Sequence, residues 1–142
     1  MAGLDDFARR IDRIAVQVEG NVERAVKDCA RSVISNTPAD TGRARSNWTA
    51  GMDEALAKVL PAYVPGEKGS TAEVNAEIAI NQAIEVIDRF DINANRSVHI
   101  SNSLPYIRPL NDGHSKQAPA GFVRIAVMEG LAGLRRARIV ED

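Results

Sequence analysis

The chain reads as an α+β domain, with a long N-terminal helix and two further helices packed on a small antiparallel β-sheet. Apolar residues recur at the helical spacings of three and four over residues 3–36, 71–89 and 121–138. Between these segments lie short alternating stretches and clusters of Gly, Pro, Asn and Asp, the marks of strands and turns. At 142 residues the chain forms one domain, 1–142, able to bury a core without staples. Only 4% of residues are aromatic against 44% apolar, so Ala, Val, Ile and Leu must build that core.

The first helix carries Leu4, Phe7, Ile11, Ile14 and Val18 on one stripe, continued by Val22, Ala25, Val26, Cys29 and Val33. Gly20 and Asn21 are its weak points, each disfavouring helix by up to about 1 kcal/mol against Ala. Pro38 ends the helix by restricting Thr37. Ile14→Asp is expected to unfold the domain, because it buries an unpaired charge in this stripe.

Asp40-Thr41-Gly42 favours a tight turn, and a strand is expected from Ala44 to Gly51 with Trp48 as its one large anchor. Residues 52–71 contain Pro61, Pro65, Gly66 and Gly69, which predict an exposed and mobile loop, although Asp53 to Leu60 has helical propensity. Ser70 and Glu73 form a capping box for the second helix, which presents Val74, Ile78, Ala83, Ile84, Ile87 and Phe90. Arg96 to Ser101 alternates as a strand, with Val98 and Ile100 on one face and His99 on the other. Tyr106 to Leu110 is a short strand or turn, and residues 111–120 are a polar loop. The last helix ends in Arg135, Arg136 and Arg138, which suit the negative end of its dipole.

Eighteen basic against nineteen acidic residues leave a formal charge of −1, unlike a dedicated nucleic-acid binder or a polybasic membrane anchor. Residues 49–91 are acidic, with eight acids and three bases, whereas residues 92–142 hold four acids and seven bases. That asymmetry offers acidic-to-basic contact between subunits, beside the plainer reading of scattered solvated charge. Cys29 is the only cysteine, which excludes an internal disulfide and assigns it a small buried side chain. The N-terminal residues lack the pattern of a signal peptide, and no run of apolar residues approaches a membrane span. The chain is therefore expected to be soluble and made in a reducing compartment.

No set of residues suggests catalysis. Asp112, His114 and Ser115 have the residue types of a hydrolase triad, but near-neighbours in one loop seldom reach its geometry. His99 and His114 are the only histidines and show no zinc-ligand spacing. There is no phosphate-binding glycine loop, and Glu73, Glu77, Glu85 and Asp88 read as a solvated helix face. In an alternating strand Arg43 and Arg45 share a face, where they offer bidentate contacts to an acidic patch of a neighbouring subunit or to passing DNA, beside the plainer reading of ordinary surface charges. The chain is not expected to be an enzyme, and no metal or cofactor is implied.

The run Thr37-Pro38-Ala39-Asp40-Thr41-Gly42-Arg43-Ala44-Arg45-Ser46-Asn47-Trp48 follows the long helix. Leu104-Pro105-Tyr106, then Asn111 to Pro119, then Gly121-Phe122-Val123-Arg124 come after it in that order. These blocks resemble the head–tail joining, or tail-completion, proteins of the phage neck, over roughly residues 3–135. Ala39 and Ala44 stand where the family carries larger apolar residues, and Ile107 to Asn111 differs from its aromatic-and-Glu pattern. The resemblance implies a structural virion protein, made in the bacterial cytoplasm, that forms a ring, six-fold by preference. Its partners would be itself and neighbouring neck, tail-terminator or connector proteins, with genome DNA passing unbound through the channel. By analogy of fold, the protein-contact residues would be Asp40, Thr41, Gly42, Arg43, Arg45, Trp48, Tyr106, His114, Ser115 and Lys116. The competing reading of the residues is a monomeric adaptor that binds a partner through its N-terminal helix.

Overall fold

The protein is described from a computed structural model, which covers residues 2–38, 42–91, 94, 96–113 and 120–137. In chain order it contains helix α1 (Ala2–Asn36), a helical turn α2 (Arg43–Ser46) and strand β1 (Trp48–Met52). Helix α3 (Ala72–Ile87), strand β2 (Val98–Asn102), a short helix α4 (Ile107–Asn111) and helix α5 (Phe122–Arg136) follow. The architecture is α+β, with the long N-terminal helix, two further long helices and a two-stranded antiparallel sheet. The strands pair from Trp48 opposite Asn102 to Met52 opposite Val98. Beyond that end, Asp53 N–H donates to Ser97 O at 2.7 Å, and Asp53 accepts from Arg96 Nε at 2.9 Å and Ser97 N–H at 3.1 Å. A two-stranded ribbon is marginal by itself, and here α3 and the C-terminal half of α1 back it.

The core follows the composition. Val33, Ile34, Trp48, Ala76, Ala79, Phe122 and Ala126 form one buried cluster, and Ala30, Ala50, Ala83 and Ile87 form another. Alanines let the helices approach closely. On α5, Phe122 joins the cluster around Val33, while a Cβ added at Gly130 would lie 2.8 Å from Ala25 O and 3.2 Å from Cys29 Cβ. Helix α5 therefore runs antiparallel to α1, at a separation that only glycine permits at position 130. Lys27 on α1 bridges Glu23 and Asp88, tying α1 to the end of α3.

Helix α1 continues through Gly20 and Asn21 without a break. Asn21 is buried, and the stripe from Val22 to Val33 faces α5 and α3. Further toward the N-terminus the same stripe has no cover among the described residues. Residues 3–14 are all exposed, with Leu4 63%, Phe7 63%, Ile11 50% and Ile14 37% accessible. The expectation that Ile14→Asp unfolds the domain is therefore overturned, because a charge there meets solvent.

Three local expectations also change. The strand expected from Ala44 begins at Trp48, since residues 43–46 make a helical turn closed by Ser46 N–H on Gly42 O and Asn47 N–H on Arg43 O. Tyr106 to Leu110, expected as a short strand or turn, gives way to the five-residue helix α4 at residues 107–111. The cap of helix α3 lies one residue later than expected: Thr71 precedes Ala72, and Ser70 Oγ accepts from Glu67 N–H at 3.3 Å.

Candidate functional site

The residues expected to make protein contacts separate into an inner and an outer set. Gly42 is buried and left-handed at φ 84°, and a Cβ there would lie 2.2 Å from Asn75 Nδ2. Its role is to let the turn close over α3. Trp48 is 6% exposed and donates from Nε1 to Thr37 Oγ1 at 2.8 Å. Thr37 in turn donates to Val33 O at 2.6 Å. Trp48 is thus a core anchor and not a contact residue, because its ring is used inside the fold. Arg45 donates from Nε to Thr37 O at 2.9 Å and from Nη1 to Ala72 O at 3.2 Å. Burial lowers its pKa, partly opposed by Glu73. Arg45 therefore staples the turn to the start of α3. The shared face expected for Arg43 and Arg45 is lost, because α2 is helical and leaves only Arg43 exposed.

The outer set is Arg43 and Tyr106, which the fold brings to one shallow groove of about 790 Å³. Val59, Leu60, Pro61, Ala62, Pro65, Gly66 and Glu67 line the rest of it. Arg43 Nε donates to Leu60 O at 3.4 Å, and Tyr106 is 39% exposed. A wide groove with a cation, a phenol and proline-bearing walls fits a protein segment better than an enclosed small molecule. Asp40, Thr41, His114, Ser115 and Lys116 lie outside the described residues.

A buried polar network, missed at the level of sequence, holds this groove in shape. Asn47 Nδ2 donates to Leu60 O at 2.7 Å and to Arg43 O at 2.8 Å, while its Oδ1 accepts from Leu60 N–H at 2.7 Å. Asn75 Nδ2 donates to Val64 O at 2.8 Å, and Asn75 Oδ1 accepts from Val64 N–H and Ser46 Oγ, each at 2.9 Å. Ser46 Oγ also accepts from Tyr63 N–H at 3.2 Å. Residues 60–64 are therefore pinned by side chains that imitate a neighbouring strand. The only sequence signal was two asparagines in segments otherwise destined for the interior. Residues 54–59 are exposed as expected, without the helix that their propensity allowed.

Elsewhere the chemistry is sparse. Ser97 Oγ lies 3.0 Å from His99 Nε2 on the exposed side of β2. The carboxylate of Asp53, whose charge interacts with His99, is committed to Arg96 and Ser97 N–H, which hold its pKa below the usual range. Among the described residues, the imidazole thus has no carboxylate dedicated to orienting it. Cys29 is half-buried, and burial together with Glu129 raises its pKa, which disfavours the reactive thiolate. Among the described residues, no group of three or more His, Cys, Asp or Glu is placed to hold a metal. No helix among them is long and apolar enough to cross a membrane. Compared with known proteins, the chain matches no family model, no curated protein and no solved structure.

Proposed function

We propose that this chain is a structural protein of a phage neck, a tail-completion part that joins tail to head as a ring around the DNA channel. The observation that carries the reading is the uncovered apolar stripe Leu4, Phe7, Ile11 and Ile14 on a projecting helix. A contiguous exposed apolar patch of several hundred Å² marks an assembly surface. Arg43, from the run whose resemblance suggests the neck, lines the groove beside Tyr106 and offers a second contact surface. A formal charge of −1 suits a channel through which DNA slides.

The stripe also favours a second reading, a monomeric adaptor that captures one partner helix. Light scattering separates the two, on the purified chain alone and mixed with capsids and tails of the phage that encodes it. The neck reading expects a multi-copy species, or a chain that binds the joining end of those particles. A monomer indifferent to both contradicts it and favours the adaptor.

A further inference from the structure

The projecting half of α1 specifies how its cover is oriented. Leu4, Phe7, Ile11, Ile14 and Val18 repeat with the alternating three–four spacing of a coiled-coil seam. Ala8 and Ala15 widen that seam on one side. A stripe broader than a two-helix seam suits contact with more than one neighbouring helix, and alanine lets the neighbours approach closely.

The edges of the seam have opposite charge. At 100° per residue, Asp5, Asp12 and Glu19, seven residues apart, follow the edge beyond the alanines. Arg10, Arg13 and Arg24 follow the other edge. Asp6 also falls on that basic side, and it is paired with Arg9 at 3.0 Å. When two copies of such a helix pack antiparallel about a two-fold axis, each edge meets its own kind, acid on acid and base on base. When copies pack parallel, the acidic edge of one meets the basic edge of the next. The pattern favours the parallel arrangement and opposes the antiparallel one.

We propose that the N-terminal halves of α1 from several copies of this chain pack side by side in parallel, acidic edge against basic edge, burying Leu4, Phe7, Ile11 and Ile14. The proposal deepens the ring reading and rests on it for closure into a ring, but the parallel contact is testable without any phage particle. From Leu4 to Val18 the seam runs about 21 Å. With its charged edges it buries on the order of several hundred Å² per copy at each contact, and two contacts per copy reach the range of stable interfaces.

The test uses the full chain and two charge variants confined to the projecting half, so that the packed body is untouched. Asp5→Lys/Asp12→Lys makes both edges basic, and Arg10→Glu/Arg13→Glu makes both acidic. Light scattering should find the unaltered chain in a multi-copy state. Each variant alone should be a monomer with an unchanged melting transition, and an equal mixture of the two should regain the multi-copy mass. Phe7→Glu should remain folded and weaken association at least tenfold. A monomeric unaltered chain, a variant that associates by itself, or a mixture that stays monomeric overturns the proposal. A chain that is monomeric here yet joins capsids to tails refutes the parallel contact and leaves the neck reading standing.

Discussion

Asn75 shows how single side chains decide this fold. It is fully buried, and its amide meets Ser46, Val64 and Thr71. Asn75→Ala strands several of those partners and should cost about 3 kcal/mol in a denaturant titration; an unchanged midpoint would show the network to be dispensable. Ser101 is the opposite case. Its Oγ is the one buried side-chain polar atom among the described residues that lacks a partner. Ser101→Ala should therefore leave stability equal or raise it by about 1 kcal/mol, read as a higher melting temperature. The ion pairs give a pH dependence with a definite sign. Arg96 holds Asp53, and Lys27 holds Asp88, below the ordinary carboxylate range. The stability they contribute is complete above the unfolded value of about 4 and is lost as pH falls through their lower folded values. Asp53→Asn should flatten the acid side of the stability curve, and a curve of unchanged slope would remove Asp53 from that account.

Helices and strands were legible from the sequence where period and punctuation agreed. Helix α1 ends where Pro38 requires, and β2 keeps His99 on its exposed face as alternation foretold. The turn at residues 43–46 was not legible, because Arg43 to Asn47 has no period of its own. It is helical because Asn47 and Ser46 find partners in residues 60–64 and on α3, contacts that no local pattern encodes. Trp48 was read as the strand's one large anchor, but its hydrogen bond to Thr37, eleven residues away, was not legible. The contact of α1 with α5 is sharply set by Gly130. Gly130→Ala gains about 1 kcal/mol of helix propensity but drives a methyl against Ala25 O, so the variant should lose about 1–3 kcal/mol overall. A stabilised variant would mean that α5 can shift along α1 at little cost.

At the scale of the whole molecule, the important division lies within α1. Periodicity in a sequence identifies the apolar face of a helix but not what covers it. The Val22 to Val33 half is packed within the chain, while the Leu4 to Ile14 half is exposed. Ile14→Asp should therefore melt normally and fail to assemble. Arg43→Glu, in the lining of the groove, should also fold and, on the proposed neck reading, weaken assembly of functional particles. Of the contact set expected from the sequence, Arg43 and Tyr106 are exposed in the groove, Gly42 and Trp48 are buried, and half-buried Arg45 is bonded to Thr37 and Ala72. The most direct test of the neck account is electron microscopy of lysates from the phage deleted for this gene, complemented with the unaltered chain. The account predicts separate DNA-filled heads and finished tails without the chain, and joined particles once it is supplied. Joined, infectious particles in its absence would contradict it.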